Sequence, residues 1–218
     1  MKNKKLLIAI LCIFVFDLPG AANRIRQNFD FDWQFRLGEN GDFREVQLPH
    51  DWSVELDFDE KAGGASGYLP GGIGWYRKSF MIPVSYKNQK VSLVFDGIYH
   101  KATIFLNGKE IAYHRYGYTS FETDLTPFLK YGESNDLKIK VDHSEISRWY
   151  TGSGIYRHVW LQVTNPVHVK MWGTYVTTPE ITESQATVKI VTTIENSMEL
   201  PRSEERRVGK ECLRLCRS

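Results

Sequence analysis

Along most of this chain apolar residues recur at every second position, and no long stripe recurs at the three-to-four spacing of a helix. Val91, Leu93 and Phe95 alternate with Ser92 and Val94 before Asp96-Gly97 turns the chain. Thr103 to Leu106 runs into Asn107-Gly108, and Lys109-Glu110-Ile111 follows. An Asn-Gly pair between two such runs predicts a two-residue hairpin, because both residues tolerate the positive φ of a type I′ turn. Leu137, Ile139 and Val141 alternate with Lys138 and Lys140, one face buried and one wet. Ile155 to Val163 repeats the alternation, and Trp33 to Phe35 and Trp75 to Phe80 are further strand candidates. Only Leu125 to Leu129, with Thr126-Pro127 inside it, predicts a short helical turn.

Many short strands separated by turn residues predict an all-β two-sheet sandwich or jelly roll. About 145 residues, from Arg24 to Pro166, suffice for a core that buries roughly two-thirds of the unfolded surface. After Asn165-Pro166 the pattern restarts. Val167 to Val169, Thr174 to Thr178 and Ala186 to Ile194 predict the first strands of a second, incomplete sandwich. Such strands leave an apolar face uncovered.

The two ends depart from this pattern. Lys2, Lys4 and Lys5 precede an apolar run, Leu6 to Phe16, and Gly20, Ala21 and Ala22 follow it. That order predicts a secretory signal peptide over residues 1–22 and an exported, periplasmic protein. The run is too short to span a bilayer, which takes about 20 residues. Leu11 before Cys12 argues against a lipoprotein cysteine. At the other end, Arg202 to Cys212 is a mixed-charge run with little apolar content. It reads as a translated sequencing adapter rather than a solvated tail, so residues 202–218 are set aside. The expected organisation is therefore 23–166 for the first domain and 167–201 for the start of a second.

These ends carry the charge. Of the whole chain's +2, the leader contributes +2 and the tail +3, which leaves −3 between residues 23 and 201. The basic balance thus argues for neither a nucleic-acid nor a membrane partner. Cys12, Cys212 and Cys216 all lie in the ends, so the body offers no disulfide or thiolate site.

Candidate chemistry is sparse. The glycine-rich run Gly63 to Gly74 lacks the Lys-Ser/Thr and helix start of a phosphate loop. It fits a loop against a sugar or a neighbouring domain, or simply a long irregular connection. Leu48-Pro49-His50-Asp51-Trp52 sets an imidazole beside a carboxylate, but adjacent residues of an extended strand point to opposite sides. A buried, hydrogen-bonded corner is the expectation, not a catalytic dyad. The other histidines show no metal-ligand spacing, and no metal or cofactor is expected. No carboxylate pair stands out for acid and nucleophile roles. The richest stretch is Ser147 to Leu161: Arg148, Trp149 and Tyr150, then a Gly-rich turn. Flat rings and fixed donors suit a carbohydrate, and aromatics beside a tight turn also suit a core.

Six ordered segments decide between these. They are Leu48 to Trp52, Tyr68 to Lys78, Phe95 to Tyr99, Leu106 to Gly108, Tyr116 to Phe121 and the stretch Ser147 to Leu161. Together, over about residues 28–163, they resemble glycoside hydrolase family 2, most of all its secreted bacterial β-galactosidases. The resemblance implies a jelly-roll, galactose-binding-like domain, then an immunoglobulin-like sandwich, then a (β/α)8 barrel carrying two catalytic Glu residues. A barrel takes about 250 residues. No catalytic residue of this chain is therefore implied. What the resemblance does imply is one wall of a substrate cleft: Arg148, Trp149 and Tyr150 from one loop, Gly71 and Gly72 from another. Arg148 stands where several family members carry an acidic residue, which leaves the hydroxyl it contacts open. The implied partners are a β-galactoside-like carbohydrate and the chain's own barrel. The alternatives are a stand-alone carbohydrate-binding module and a purely structural or adhesion domain.

Overall fold

A computed structural model describes residues 24–145 and 147–198. The expected signal peptide and adapter-like tail lie outside the described residues. Twelve strands follow in order: β1 (Ile25–Asn28), β2 (Trp33–Leu37), β3 (Arg44–Val46), β4 (Gly72–Met81), β5 (Lys90–Phe95) and β6 (Ala102–Leu106). Then come β7 (Lys109–His114), β8 (Phe121–Asp124), β9 (Ser134–His143), β10 (Val159–Thr164), β11 (Val167–Ile181) and β12 (Ala186–Asn196). Helical structure among the described residues is limited to short 3-10 turns, one of them Thr126–Phe128, inside the predicted segment.

Two antiparallel sheets form the first body. One has the order β1-β10-β5-β8 and the other β3-β2-β4-β9-β6-β7. Their facing sides bury the residues that the alternation marked: Val91, Leu93 and Phe95 from β5, Ile104 and Leu106 from β6, Leu137, Ile139 and Val141 from β9. Each such side chain contributes about 1.5–3 kcal/mol on full burial. Polar partners on β9 and β6 face outward because a strand's side chains alternate. At one end of this core the rings gather. Trp33, Phe35, Trp52 and Tyr76 are all buried, with Phe35 stacked on Trp52 at 5.4 Å.

The Asn107-Gly108 turn has φ of 52° and 83°, the two left-handed residues that a type I′ turn requires. One prediction is corrected. Alternation suggested a strand from Ile155, yet β10 begins at Val159. The preceding residues spend their backbone on loops instead: Ile155 O accepts from His50 N at 2.8 Å, and Gly154 exchanges two 2.9 Å bonds with Tyr99. Asp30 then sets where the strand begins, its Oδ1 accepting from Val159 N at 2.8 Å. Of the three segments expected after Pro166, the first two join into the single long strand β11 and the third is β12; among the described residues β11 pairs only with β12.

Candidate functional site

His50-Asp51-Trp52 forms the corner on which the site is built. Asp51 caps a 3-10 turn, Trp52–Glu55, by accepting from Ser53 N at 3.1 Å. The same Oδ1 accepts from Ser153 N at 2.8 Å, and Oδ2 accepts from the Tyr150 hydroxyl. Trp52 N donates to Ser153 O at 3.1 Å. One carboxylate thus clamps a loop about a hundred residues away in sequence. Burial, then the bond to Asp51, raises the Tyr150 phenol well above its ordinary range, so it stays a donor. His50 is buried, with Nδ1 2.7 Å from the Tyr76 hydroxyl, and burial lowers its pKa.

A chain of hydroxyls ties the second loop to the first. Pro70 O can only accept, and the Ser53 hydroxyl donates to it at 2.6 Å. Ser53 has no further proton, so the bond between Ser53 Oγ and Ser153 Oγ uses the proton of Ser153. Ser153 is then left only to accept from His143 Nδ1, 2.6 Å away. This places a proton on His143 Nδ1. Its pKa is lowered to about 4, by burial first and then by His100.

These ties close a cleft of about 350 Å³ between the two loops. Gly71, Gly72, Trp149 and Tyr150, all named from the sequence, line it together, beside His143 and Ser53. Arg148 is not among the lining residues. It is exposed, and its side chain makes no hydrogen bond or ion pair with the described residues. Gly71 is there for space: a Cβ would stand 2.0 Å from His143 O. Tyr150 divides this cleft from a shallower one, lined by His50, Asp51, Thr151 and Tyr156. The carboxylates in the wall are engaged: Asp59 accepts from Lys61 N at 2.9 Å, and Glu145 pairs with Lys101 at 2.5 Å. Among the described residues no group of His, Cys, Asp and Glu stands ready to hold a metal. The wall offers a ligand ring faces and hydroxyl groups, with Lys61 as a charged donor beside them.

The residues that sequence reasoning missed are those that hold the wall. Asp51 was visible only as part of a corner, and nothing near it in sequence points to Tyr150. His143 and Ser153 carry no spacing signal either, because their partnership is made by the fold.

Residues 68–166 match the model of the glycosyl hydrolases family 2 sugar binding domain. The chain belongs to glycoside hydrolase family 2. A β-galactosidase of Bacteroides ovatus is 44% identical over 187 residues, covering 79% of this chain and 22% of that protein. A β-glucuronidase of Bacteroides fragilis is 30% identical over 200 residues, or 85% of this chain and 28% of that protein. The solved structure of a β-glycosidase from Bacteroides vulgatus superposes with a TM-score of 0.74 at 39% identity, over 81% of this chain and 25% of that one. The chain therefore spans between 22% and 28% of the length of these two family 2 relatives. Its fold is the family's N-terminal β-sandwich, and both clamped loops belong to it.

Proposed function

We propose that this chain is the N-terminal sugar-binding wall of a secreted β-glycosidase that acts on β-galactosides. The observation that carries the reading is the convergence of Gly71, Gly72, Trp149 and Tyr150 on one cleft, held by Asp51 and the His143 relay. A site that binds a sugar without reacting with it needs oriented rings and donors rather than free carboxylates, and the wall has that composition. Likeness to both β-galactosidases and a β-glucuronidase supports glycoside hydrolysis as the reaction class. The higher identity to the Bacteroides ovatus β-galactosidase favours galactosides.

In this reading the bond is broken elsewhere in the full protein. One Glu attacks the anomeric carbon while a second protonates the leaving oxygen, and water then releases the sugar with retention. The wall residues contribute by orientation, which raises effective molarity without making bonds. Arg148, exposed and without a partner among the described residues, would meet a hydroxyl of the bound sugar.

Reading the genomic locus past the codon for Pro201 tests this directly. An open frame encoding a barrel with two suitably placed Glu residues supports it, and an authentic stop favours a stand-alone binding module. The gene product should then hydrolyse nitrophenyl β-galactoside faster than nitrophenyl β-glucuronide. The 218-residue chain alone should hydrolyse neither, and turnover by it would overturn the proposal.

A further inference from the structure

Tyr116, Gly117 and Tyr118 form a turn between β7 and β8 that lies flat against Tyr99. Gly117 makes this possible, since a Cβ there would stand 2.2 Å from Tyr99 Cδ2. Tyr156 pins the turn from the other side, its hydroxyl donating to Gly117 O at 2.9 Å. Tyr99 is itself fixed by its paired bonds to Gly154 and by edge-on contact with His143 at 4.9 Å. The turn is thus seated on a buried ring, yet its own rings stay in water: Tyr116 is 60% exposed and Tyr118 43%.

The two tyrosines meet edge to face at 5.8 Å, and Tyr118 tilts over Tyr99 at 5.3 Å. Trp149, 58% exposed, donates its indole N–H to the Tyr118 hydroxyl at 3.0 Å. Three large rings therefore neighbour one another, Trp149 tied to Tyr118 by a hydrogen bond and Tyr118 meeting Tyr116 edge to face. Full burial of such a ring is worth about 1.5–3 kcal/mol, so a fold that locks three of them in solvent forgoes a large gain. Trp149 also lines the cleft, so the ridge runs outward from it without a break.

We propose that the ridge of Trp149, Tyr118 and Tyr116 is a stacking platform for further sugar rings of a β-linked oligosaccharide whose end ring enters the cleft. The inference rests on the glycosidase reading for the linkage, and on the ridge for the length of the ligand. A ring face takes the C–H side of a sugar, while the Tyr118 hydroxyl, accepting from Trp149, keeps its own proton to donate. Nucleobases also stack on such platforms, but they bring phosphates, and the body of this chain carries −3. A ligand of one ring fills the cleft, where it meets Trp149 alone of the three, and misses Tyr118 and Tyr116. A ligand of several rings reaches both.

Calorimetric titration of the 218-residue chain with β-1,4-galactotetraose, and with methyl β-D-galactopyranoside as the single-ring control, tests the platform. The tetraose should bind roughly tenfold tighter than the methyl glycoside. Tyr116→Ala should weaken tetraose binding roughly fivefold and leave the methyl glycoside unaffected, and Tyr118→Ala, which also frees the Trp149 indole, should weaken the tetraose at least as much. Tyr118→Phe, which keeps the ring if the alanine variant misfolds but loses the hydroxyl, should weaken tetraose binding less than Tyr118→Ala does. Tyr175→Ala, on the distant β11, should change nothing. The Trp149 indole N–H resonance should move with the tetraose. No tetraose binding, equal binding by the Tyr116→Ala variant, or an unmoved Trp149 signal overturns the platform. Turnover of nitrophenyl galactoside by the full gene product is a separate readout, so the glycosidase reading can stand while the platform falls. If the full protein covers Tyr116 and Tyr118 with another of its own segments, those alanine variants will leave its tetraose affinity unchanged, which also overturns the platform.

Discussion

At the scale of single residues, the site depends on Asp51 more than on any side chain that faces the cleft. Its carboxylate accepts from Ser53 N, Ser153 N and the Tyr150 hydroxyl, which have no other acceptor among the described residues. Leaving a buried donor unsatisfied costs about 1–3 kcal/mol. Asp51→Ala should therefore destabilise the chain by about 3 kcal/mol in urea unfolding. It should also free the loop of Trp149 and Tyr150, read as faster amide exchange at Ser153. Asp51→Asn keeps an oxygen for the two amides and should cost about 1 kcal/mol. His143 makes a second residue-scale prediction, with a definite sign. Its folded pKa is lowered to about 4, against an ordinary 6.5 when unfolded. Between those values the unfolded chain binds more protons, so stability falls as pH drops through that window and does not depend on this group above it. The loss is at most about 3 kcal/mol, and His50, lowered by burial as well, adds in the same direction. His143→Asn, whose amide can still donate to Ser153, should flatten the fall in urea midpoint between about pH 7 and about pH 4.

At the scale of elements, what was legible in the sequence was what depends on neighbours in sequence. Asn107-Gly108 announced its hairpin because the turn type demands left-handed residues, and no distant contact is needed to satisfy that demand. Alternation placed β5, β6 and β9 because each has one face on the core. Ile155 to His158 carries the same alternation without forming a strand, because His50 N takes the Ile155 carbonyl and the Tyr76 hydroxyl takes its amide. The site divides in the same way. Gly71, Gly72, Trp149 and Tyr150 could be named from ordered motifs, while the clamp that brings them together joins residues 99 and 102 positions apart. Asn107 shows that even a legible turn carries tertiary bonds. Its side chain donates to Phe128 O at 3.0 Å and to Asn135 Oδ1 at 2.9 Å, and accepts from Asp136 N at 3.1 Å. Asn107→Gly keeps the turn geometry and loses those bonds, whereas Asn107→Ala loses both. We expect the glycine variant to cost about 2 kcal/mol and the alanine variant about 1 kcal/mol more, measured by urea unfolding.

At the scale of the whole molecule, the β11–β12 hairpin stands apart from the body that precedes it. No residue of either strand belongs to the core cluster, which ends at Val163. The ties across the junction are polar: Lys90 to Glu195 at 3.0 Å, and the Arg24 guanidinium to Val169 O at 2.5 Å. Partly exposed ion pairs of this kind contribute about 0–1 kcal/mol. On the hairpin itself, Val169 faces Ile194 and Val176 faces Ile190 across the ladder, and all four are exposed. A two-stranded ribbon with an uncovered apolar side and open edges is a template for self-association. Residues 24–166 should accordingly unfold cooperatively within about 1 kcal/mol of residues 24–198, because they retain the entire core. The two should differ in solution behaviour. Sedimentation velocity of 24–198 should show association that grows with concentration, and 24–166 should remain monomeric at the same concentrations. Replacing Ile190 and Ile194 with Lys in the longer chain should abolish the association without lowering the unfolding midpoint of the first body. Association by the shorter chain would place the sticky surface on the sandwich instead, where Phe58 and Tyr116 are the exposed rings to test next.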